Sequence, residues 1–267
     1  MKKINKLPSL SIFFPAYNEA GNIKEAVKQA LAVAPKLAHT FEVIVVNDGS
    51  KDETLTVAKK LAAQNPYVKV VSQRNRGYGG ALKRGFTESK YEWIFFTDAD
   101  LQFNISELKK LVNARQNYKA VLGYRKNRAE GKKRQVLAWA LKLWNRALLG
   151  FPRRIKDIDC AFKLLHKDVL ISAEPLMSDG AMISTELLLK MHYQGFSYTQ
   201  IGVTHYKRRC GTPTGSNITV ITKAILDTFK LQRHLLTLSS PALYLRGLAV
   251  YLLKIPGHLT FLYQSLI

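Results

Sequence analysis

The sequence predicts an α/β protein: a mainly parallel sheet flanked by helices, with a basic, apolar helical tail. Three observations carry this. Short apolar runs, rich in β-branched and aromatic residues, recur through the first half, as expected of strands buried on both faces. Segments of helical length separate them, which is the crossover a parallel sheet requires. Several runs stop abruptly at an acid-bearing segment, and ligands of open α/β sheets bind at the carboxyl ends of strands.

The elements follow in order. Leu10–Phe14 is the first strand, closed by Pro15. A helix over Glu19–Val33 places Ile23, Val27, Ala30 and Leu31 on one face. Phe41–Val46 is the second strand, and Ser50 with Glu53 has capping-box spacing for a helix over Asp52–Ala63. Val68–Val71 and Trp93–Phe96 are strands bracketing a Gly79–Ser89 helix. Ile105–Gln116 is helical, and Ala120–Leu122 is a weaker fifth strand. After Gly123 the pattern loosens into a helix over Gln135–Leu149, a strand over Ala161–Leu165, a helix over Ser184–Gln194 and a late strand over Thr199–Thr204. From Asn217 the chain is apolar and basic, broken by Pro241 and Pro256. The division expected is a main domain over 1–216 and a helical segment over 217–267.

With 267 residues and 47% apolar side chains, the chain has enough for a core, which excludes disorder. Cys160 and Cys210 cannot build a disulfide framework and lack metal-site spacing. The basic start is followed by too short an apolar run for a secretory signal, so a cytoplasmic setting is expected. The formal net charge is +22, which calls for nucleic acid, a membrane leaflet or phosphorylated small molecules as partners. Six basic residues lie between Arg125 and Arg134 against one acid, Glu130, and Lys207, Arg208 and Arg209 form a second cluster. No nucleic-acid motif is visible and stacking aromatics are not interleaved with these residues. A basic module binding nucleic acid or phospholipid therefore ranks last, and no nucleic-acid partner is expected.

The acids carry the chemistry. Pro15-Ala16-Tyr17-Asn18-Glu19, Asn47-Asp48-Gly49-Ser50 and Asp98-Ala99-Asp100-Leu101-Gln102 each close an apolar run. Residues two apart on an extended segment point the same way, so Asp98, Asp100 and Gln102 are read as oxygen ligands for Mg²⁺ or Mn²⁺ bridging a diphosphate. A turn or helix-cap role is the competing reading. Arg74–Gly85 is a glycine-rich loop entering a helix. It reads equally as a phosphate cradle and as a tight turn needing positive φ.

In this order, the Pro15–Glu19 segment, Asp48-Gly49-Ser50, the Gly77/Gly79/Gly80 loop and Asp98-Ala99-Asp100 resemble family 2 glycosyltransferases of the GT-A fold. Asp157-Ile158-Asp159-Cys160-Ala161-Phe162-Lys163 and the His205–Ser216 segment are similar to the dolichyl- and polyprenyl-phosphate branch, which includes dolichyl-phosphate mannose synthase. The Q-x-x-R-W motif of processive polysaccharide synthases is absent. The resemblance implies a nucleotide-sugar donor, GDP-mannose or a UDP-sugar, and a polyprenyl or dolichyl phosphate acceptor. It places Pro15, Tyr17 and Glu19 at the base and ribose, Asp48 at the base, and Asp98, Asp100 and Gln102 at the metal. Arg125, Arg134 and Arg208 would bind phosphate, and Glu186 stands where many members have an acid, as a base or as an orienting group.

A phosphate acceptor is already anionic, so inverting transfer needs cationic clamping rather than a strong base. Transfer to a saccharide or other lipid-linked acceptor is the alternative, and it needs a base such as Glu186 or Asp159. An isoprenoid acceptor implies work at a membrane surface. Trp139 and Trp144 among Lys142 and Arg146 suit an interface. No stretch of the tail reaches the ~20 uninterrupted apolar residues of a spanning helix. The expectation is a peripheral or monotopic protein on the cytoplasmic side of a membrane, with a homo-oligomeric contact through the tail as the rival.

Overall fold

A computed structural model describes residues 5–126, 140, 143, 144, 146, 148–152, 154–208, 210 and 226–233. Seven strands form one sheet: β1 (Leu7–Ala16), β2 (Ala38–Asp48), β3 (Val68–Gln73), β4 (Trp93–Thr97), β5 (Ala120–Arg125), β6 (Phe162–His166) and β7 (Tyr198–Val203). Their spatial order is β3-β2-β1-β4-β6-β5-β7. Both neighbours of β6 pair with it antiparallel, and the other pairs are parallel.

The helices are α1 (Ala20–Leu37), α2 (Thr54–Gln64), α3 (Gly77–Glu88), α4 (Leu108–Ala114), α5 (Lys167–Ala173) and α6 (Ile183–Tyr193). Apolar residues fill both faces of the sheet because strand side chains alternate. Ile12, Phe14, Val43, Val45, Phe95 and Leu164 join one cluster with Ile23 and Val27 of α1. Phe13, Ile44, Val46, Phe96 and Leu165 join the other with Leu82 and Phe86 of α3 and Leu188 of α6. The uninterrupted apolar runs are thus strands with a helical layer on each side.

Most boundaries shift by a few residues. β1 includes Pro15, which pairs with Val46 of β2 but lies beyond the last β4 partner, Phe13. A proline is tolerated where one side of the ladder has ended. Helix α1 continues past Val33 through Pro35 to Leu37. Its last turn still buries Ala34 and Leu37, and this packing offsets the bond lost at Pro35. The Ser50/Glu53 capping box does not form. Helix α2 starts at Thr54 without a side-chain cap from Glu53, and Asp52 Oδ1 accepts from the Thr54 amide at 3.0 Å instead. The segment expected as one helix from Ile105 is a 3-10 turn, Ile105–Glu107, followed by α4. Helix α5 was not anticipated; it is a single short element after β6. Residues 140, 143, 144, 146, 148 and 149 are helical, as expected, while 135–139 and most of the tail lie outside the described residues.

Gly85 of α3 packs directly on the Phe13 ring: a Cβ there would lie 2.3 Å from a ring carbon. Alanine would add roughly 1 kcal/mol of helix propensity, but overpacking a core costs about 1–3 kcal/mol and the ring is fully buried. Gly85→Ala is therefore expected to destabilise the domain, read as a lower midpoint in urea unfolding at unchanged slope.

Candidate active site

β1 and β4 are adjacent and parallel, so the segments after Ala16 and Thr97 emerge on the same rim. The first is held by the segment after β2. The Asn18 amide donates to Ser50 Oγ at 3.0 Å, and Asn18 Oδ1 accepts from the Lys51 amide at 2.8 Å. The Glu19 amide donates to Thr54 Oγ1 at 2.8 Å. Asn18 has φ of 56°, a left-handed conformation that asparagine tolerates. These bonds turn the Glu19 carboxylate inward, where it is buried.

Asp98 and Asp100 also converge here, but by a turn rather than by alternation along a strand. The chain leaves β4 at Thr97 and Leu101 adopts φ of 60°. Asp100 Oδ1 accepts from the Gln102 amide at 3.0 Å. Its Oδ2 accepts from Arg208 Nη2 at 2.8 Å, and Arg208 Nη1 donates to Glu19 Oε1 at 3.1 Å. Asn22 Nδ2 donates to the other Glu19 oxygen at 2.7 Å. One guanidinium thus bridges two acids from different strand ends.

Arg208 arrives on a strap that pairs with the Asp98–Gln102 turn. Phe103 and His205 form an isolated antiparallel bridge. The Tyr206 amide donates to the Gln102 carbonyl at 2.8 Å, and Gln102 Nε2 donates to the Tyr206 carbonyl at 3.0 Å. The Gln102 side chain therefore ties the strap to the turn. His205 is buried against the Phe103 ring.

The electrostatics follow from this crowding. Asp98 keeps part of its surface open, yet burial, reinforced by the Asp100 charge, pushes its carboxyl up to about 7. The Tyr78 hydroxyl hydrogen-bonds to Asp98, and burial with that carboxylate pushes the phenol well above its usual range. Burial also raises Glu19, against the opposing pull of Asn22 and Arg208. Sequence reasoning missed Tyr78. Its signal was its place inside the glycine-rich Arg74–Gly85 loop.

Other expected site residues have different surroundings. Pro15 is buried within β1 and Tyr17 is exposed at the rim. Asp48 is buried, and its Oδ1 accepts from Gln73 Nε2 at 2.7 Å and the Arg76 amide at 2.9 Å. The phosphate-cradle reading of the glycine loop is corrected: the Gly79 amide donates to the Asp179 carbonyl at 2.9 Å, and a Cβ on Gly79 would lie 2.5 Å from the Ser178 carbonyl oxygen. The glycines allow backbone to pack on backbone.

Arg125, expected to bind phosphate, pairs with a carboxylate. It ends β5, and its Nε and Nη2 donate to the two Asp157 carboxylate oxygens at 2.7 and 2.8 Å, in a pair almost wholly buried. Arg134 lies outside the described residues, as do 211–216 of the His205–Ser216 motif. Glu186 does not stand as a base: its two oxygens accept from the Met177 and Ser178 amides, both at 2.8 Å, and Lys190 pairs with it at 2.9 Å. Those bonds hold its carboxyl below the usual range against burial. It orients the 177–179 segment on which the glycine loop rests. Asp159 is exposed. Cys160 is buried, and burial pushes its thiol up to about 12, which makes it inert. Lys163 is fully buried and clamps the Ile158 and Cys160 carbonyls.

Residues 11–172 match the model of glycosyl transferase family 2. The chain belongs to that family. A curated relative, the undecaprenyl-phosphate 4-deoxy-4-formamido-L-arabinose transferase of Pseudomonas syringae pv. syringae, is 34% identical over 52% of this chain and 41% of its own length. The glycosyltransferase AglD of Haloferax volcanii is 29% identical over 73% of this chain and 32% of its own length. The chain thus spans less than half the length of either relative. Among solved structures, glucosyl-3-phosphoglycerate synthase from Mycobacterium tuberculosis, in complex with Mn²⁺, UDP and phosphoglyceric acid, superposes with a TM-score of 0.63 at 16% identity, covering 84% of this chain and 78% of that one. The fold is GT-A.

Two outcomes are expected. Asp98 binds its proton more tightly folded than unfolded, so its contribution to stability is complete below about pH 4 and lost as pH rises through about 7. Without divalent ions, Asp98→Asn should raise the melting temperature at pH 8 and change it little at pH 4. Removing one partner of a buried ion pair costs roughly 3–5 kcal/mol, so Arg125→Ala should lose about that much in chemical denaturation.

Proposed function

We propose that this chain is an inverting glycosyltransferase that moves a sugar from a nucleotide-sugar, GDP-mannose or a UDP-sugar, to a polyprenyl or dolichyl phosphate. The observation that carries the reading is the convergence of Glu19, Asp98 and Asp100 with Arg208 at one rim of the sheet. The bacterial relatives, undecaprenyl-phosphate 4-deoxy-4-formamido-L-arabinose transferases, support the acceptor class.

A divalent ion fits the donor set. Among the described residues no three His, Cys, Asp or Glu side chains form a group that could hold a metal ion by themselves. Mg²⁺-type sites use one or two carboxylates and complete the shell with substrate phosphates and water. Asp98 and Asp100 supply that pair, and both stand at the rim where β4 ends. Mg²⁺ or Mn²⁺, when bound, would neutralise the leaving diphosphate.

The rest falls to the chain. Asp48 fixes the Gln73 side chain and the Arg76 amide beside the donor pocket. Tyr78 holds Asp98, and Gln102 holds the strap that delivers Arg208. Arg208, with a quarter of its side chain exposed, supplies a permanent charge for phosphate. No deprotonating base is needed for an anionic acceptor, which agrees with the full engagement of Glu186. Transfer to a saccharide hydroxyl is less well supported for the same reason.

The lipid acceptor places the work at a membrane surface. No helix among the described residues is long and apolar enough to cross a membrane. Leu143, Trp144 and Phe229 are exposed, with Trp144 and Phe229 in edge contact at 5.9 Å, and Lys230 beside them is also exposed. Exposed aromatic and aliphatic groups with flanking cations suit peripheral attachment. Trp139, Lys142 and the tail beyond 233 lie outside the described residues.

The test is a panel of labelled GDP-mannose, UDP-glucose and related donors with polyprenyl phosphate and Mn²⁺ or Mg²⁺. One donor is expected to give lipid-linked sugar, and Asp98→Ala and Asp100→Ala should each lower the rate by roughly a hundredfold or more. Lipid product made equally well by both variants would overturn the metal assignment. Saccharide product without lipid product would overturn the acceptor.

A further inference from the structure

We propose that Arg208 is a resident cation of the acidic cluster. It holds Asp100 until the divalent ion arrives, and is then released toward the acceptor phosphate, with Glu19 keeping the guanidinium in the site. The proposal rests on the metal-dependent reading above and concerns what this chain's own residues do toward the ion.

The geometry carries it. Arg208 Nη2 stands 2.8 Å from Asp100 Oδ2, and the other Asp100 oxygen accepts from the Gln102 amide at 3.0 Å. An ion taking Oδ2 would share that oxygen with a full positive charge, and two cations at such separation repel strongly. One must leave. The guanidinium can, because it is partly exposed and lies two residues beyond Tyr206, whose bonds tie the strap to Gln102. It need not leave altogether. Nη1 has its own partner in Glu19, whose other oxygen is fixed by Asn22. Rotation about that anchored end moves Nη2 off Asp100 without losing Glu19.

This changes the role given to Glu19. The family resemblance implies a place at the base and ribose, whereas its carboxylate faces Arg208. Glu19 becomes a positioning residue for the acceptor clamp. The consequence is an order of events: the freed guanidinium N–H groups become available to the acceptor phosphate only once the ion has claimed Asp100. Before that, Arg208 moderates the repulsion between the acids.

The decisive measurement is Mn²⁺ binding to the purified full chain without nucleotide, read by the electron paramagnetic resonance signal of free Mn²⁺. Arg208→Ala and Arg208→Gln are expected to bind Mn²⁺ tighter than the wild type, on the order of tenfold, while Asp98→Ala and Asp100→Ala lose binding. Melting temperatures show that each variant is folded, and Arg208→Gln serves if alanine leaves the acids too exposed to one another. Mn²⁺ affinity unchanged or weaker in both Arg208 variants, with binding lost in the aspartate variants, would overturn this proposal and leave the metal assignment standing. Aspartate variants that bind Mn²⁺ like the wild type would overturn both. In turnover, Glu19→Gln should raise KM for the acceptor phosphate by a larger factor than KM for the donor. Equal changes in both KM values would remove Glu19 from the acceptor clamp.

Discussion

Three carboxylates compelled to share one rim of a sheet set the terms for everything around them. Glu19 and the Asp98/Asp100 pair come from adjacent parallel strands, so their proximity is fixed by the topology and cannot relax. Burial raises the proton affinity of Asp98 and Glu19, and the neighbouring carboxylate charges add to it. The surrounding structure compensates with donors: Tyr78 on Asp98, Asn22 on Glu19 and Arg208 across the cluster.

The same economy governs the basic residues. The excess of positive charge reads from the sequence as surface facing an anionic partner. Part of it instead lies inside. Arg125 grips Asp157, Lys163 gathers the Ile158 and Cys160 carbonyls, and Lys190 pairs with Glu186. Each buried cation fixes an irregular segment next to the site. A loop made of turns has few bonds of its own, and a charged donor supplies stronger ones than a neutral group. The DxDCAFK segment therefore behaves as a braced unit, and its arginine partner sits at the end of β5.

Much of this was legible beforehand. The apolar runs identified the strands because both faces are buried, and β1, β2 and β4 were found with the acids at their ends. The turn chemistry was harder. Asp98 and Asp100 lie on a turn that begins after Thr97 and in which Leu101 takes a left-handed conformation, and no apolar pattern announces such a turn. Ser50 had the right spacing for a cap, but its hydroxyl was claimed by the Asn18 amide from another strand end. Arg125 and Glu186 were recognisable as charged residues at functional positions. Their partners, 32 residues away in one case and backbone amides in the other, were not. Short-range signals survive where the local sequence decides the structure, and fail where a distant segment supplies the bond.

The reversed strand β6 has one more effect. It alone runs against both of its neighbours, so the residues entering it, rather than those leaving it, stand at the rim where the other strands end. That is how Asp157, Asp159 and Cys160 arrive at the rim where β4 ends, Thr97 pairing with Phe162. It also separates two jobs along the chain. The sheet's register is settled by the strands themselves, while the stretch between β5 and β6 both leaves from and returns to the active rim. The latter part of that stretch is tied down, since Leu149, Phe151, Ile155 and Ile158 pack in the core and Asp157 pairs with Arg125. The loops after β1, β2 and β4 leave the rim for the next helix, whereas this one excursion meets the rim at both of its ends.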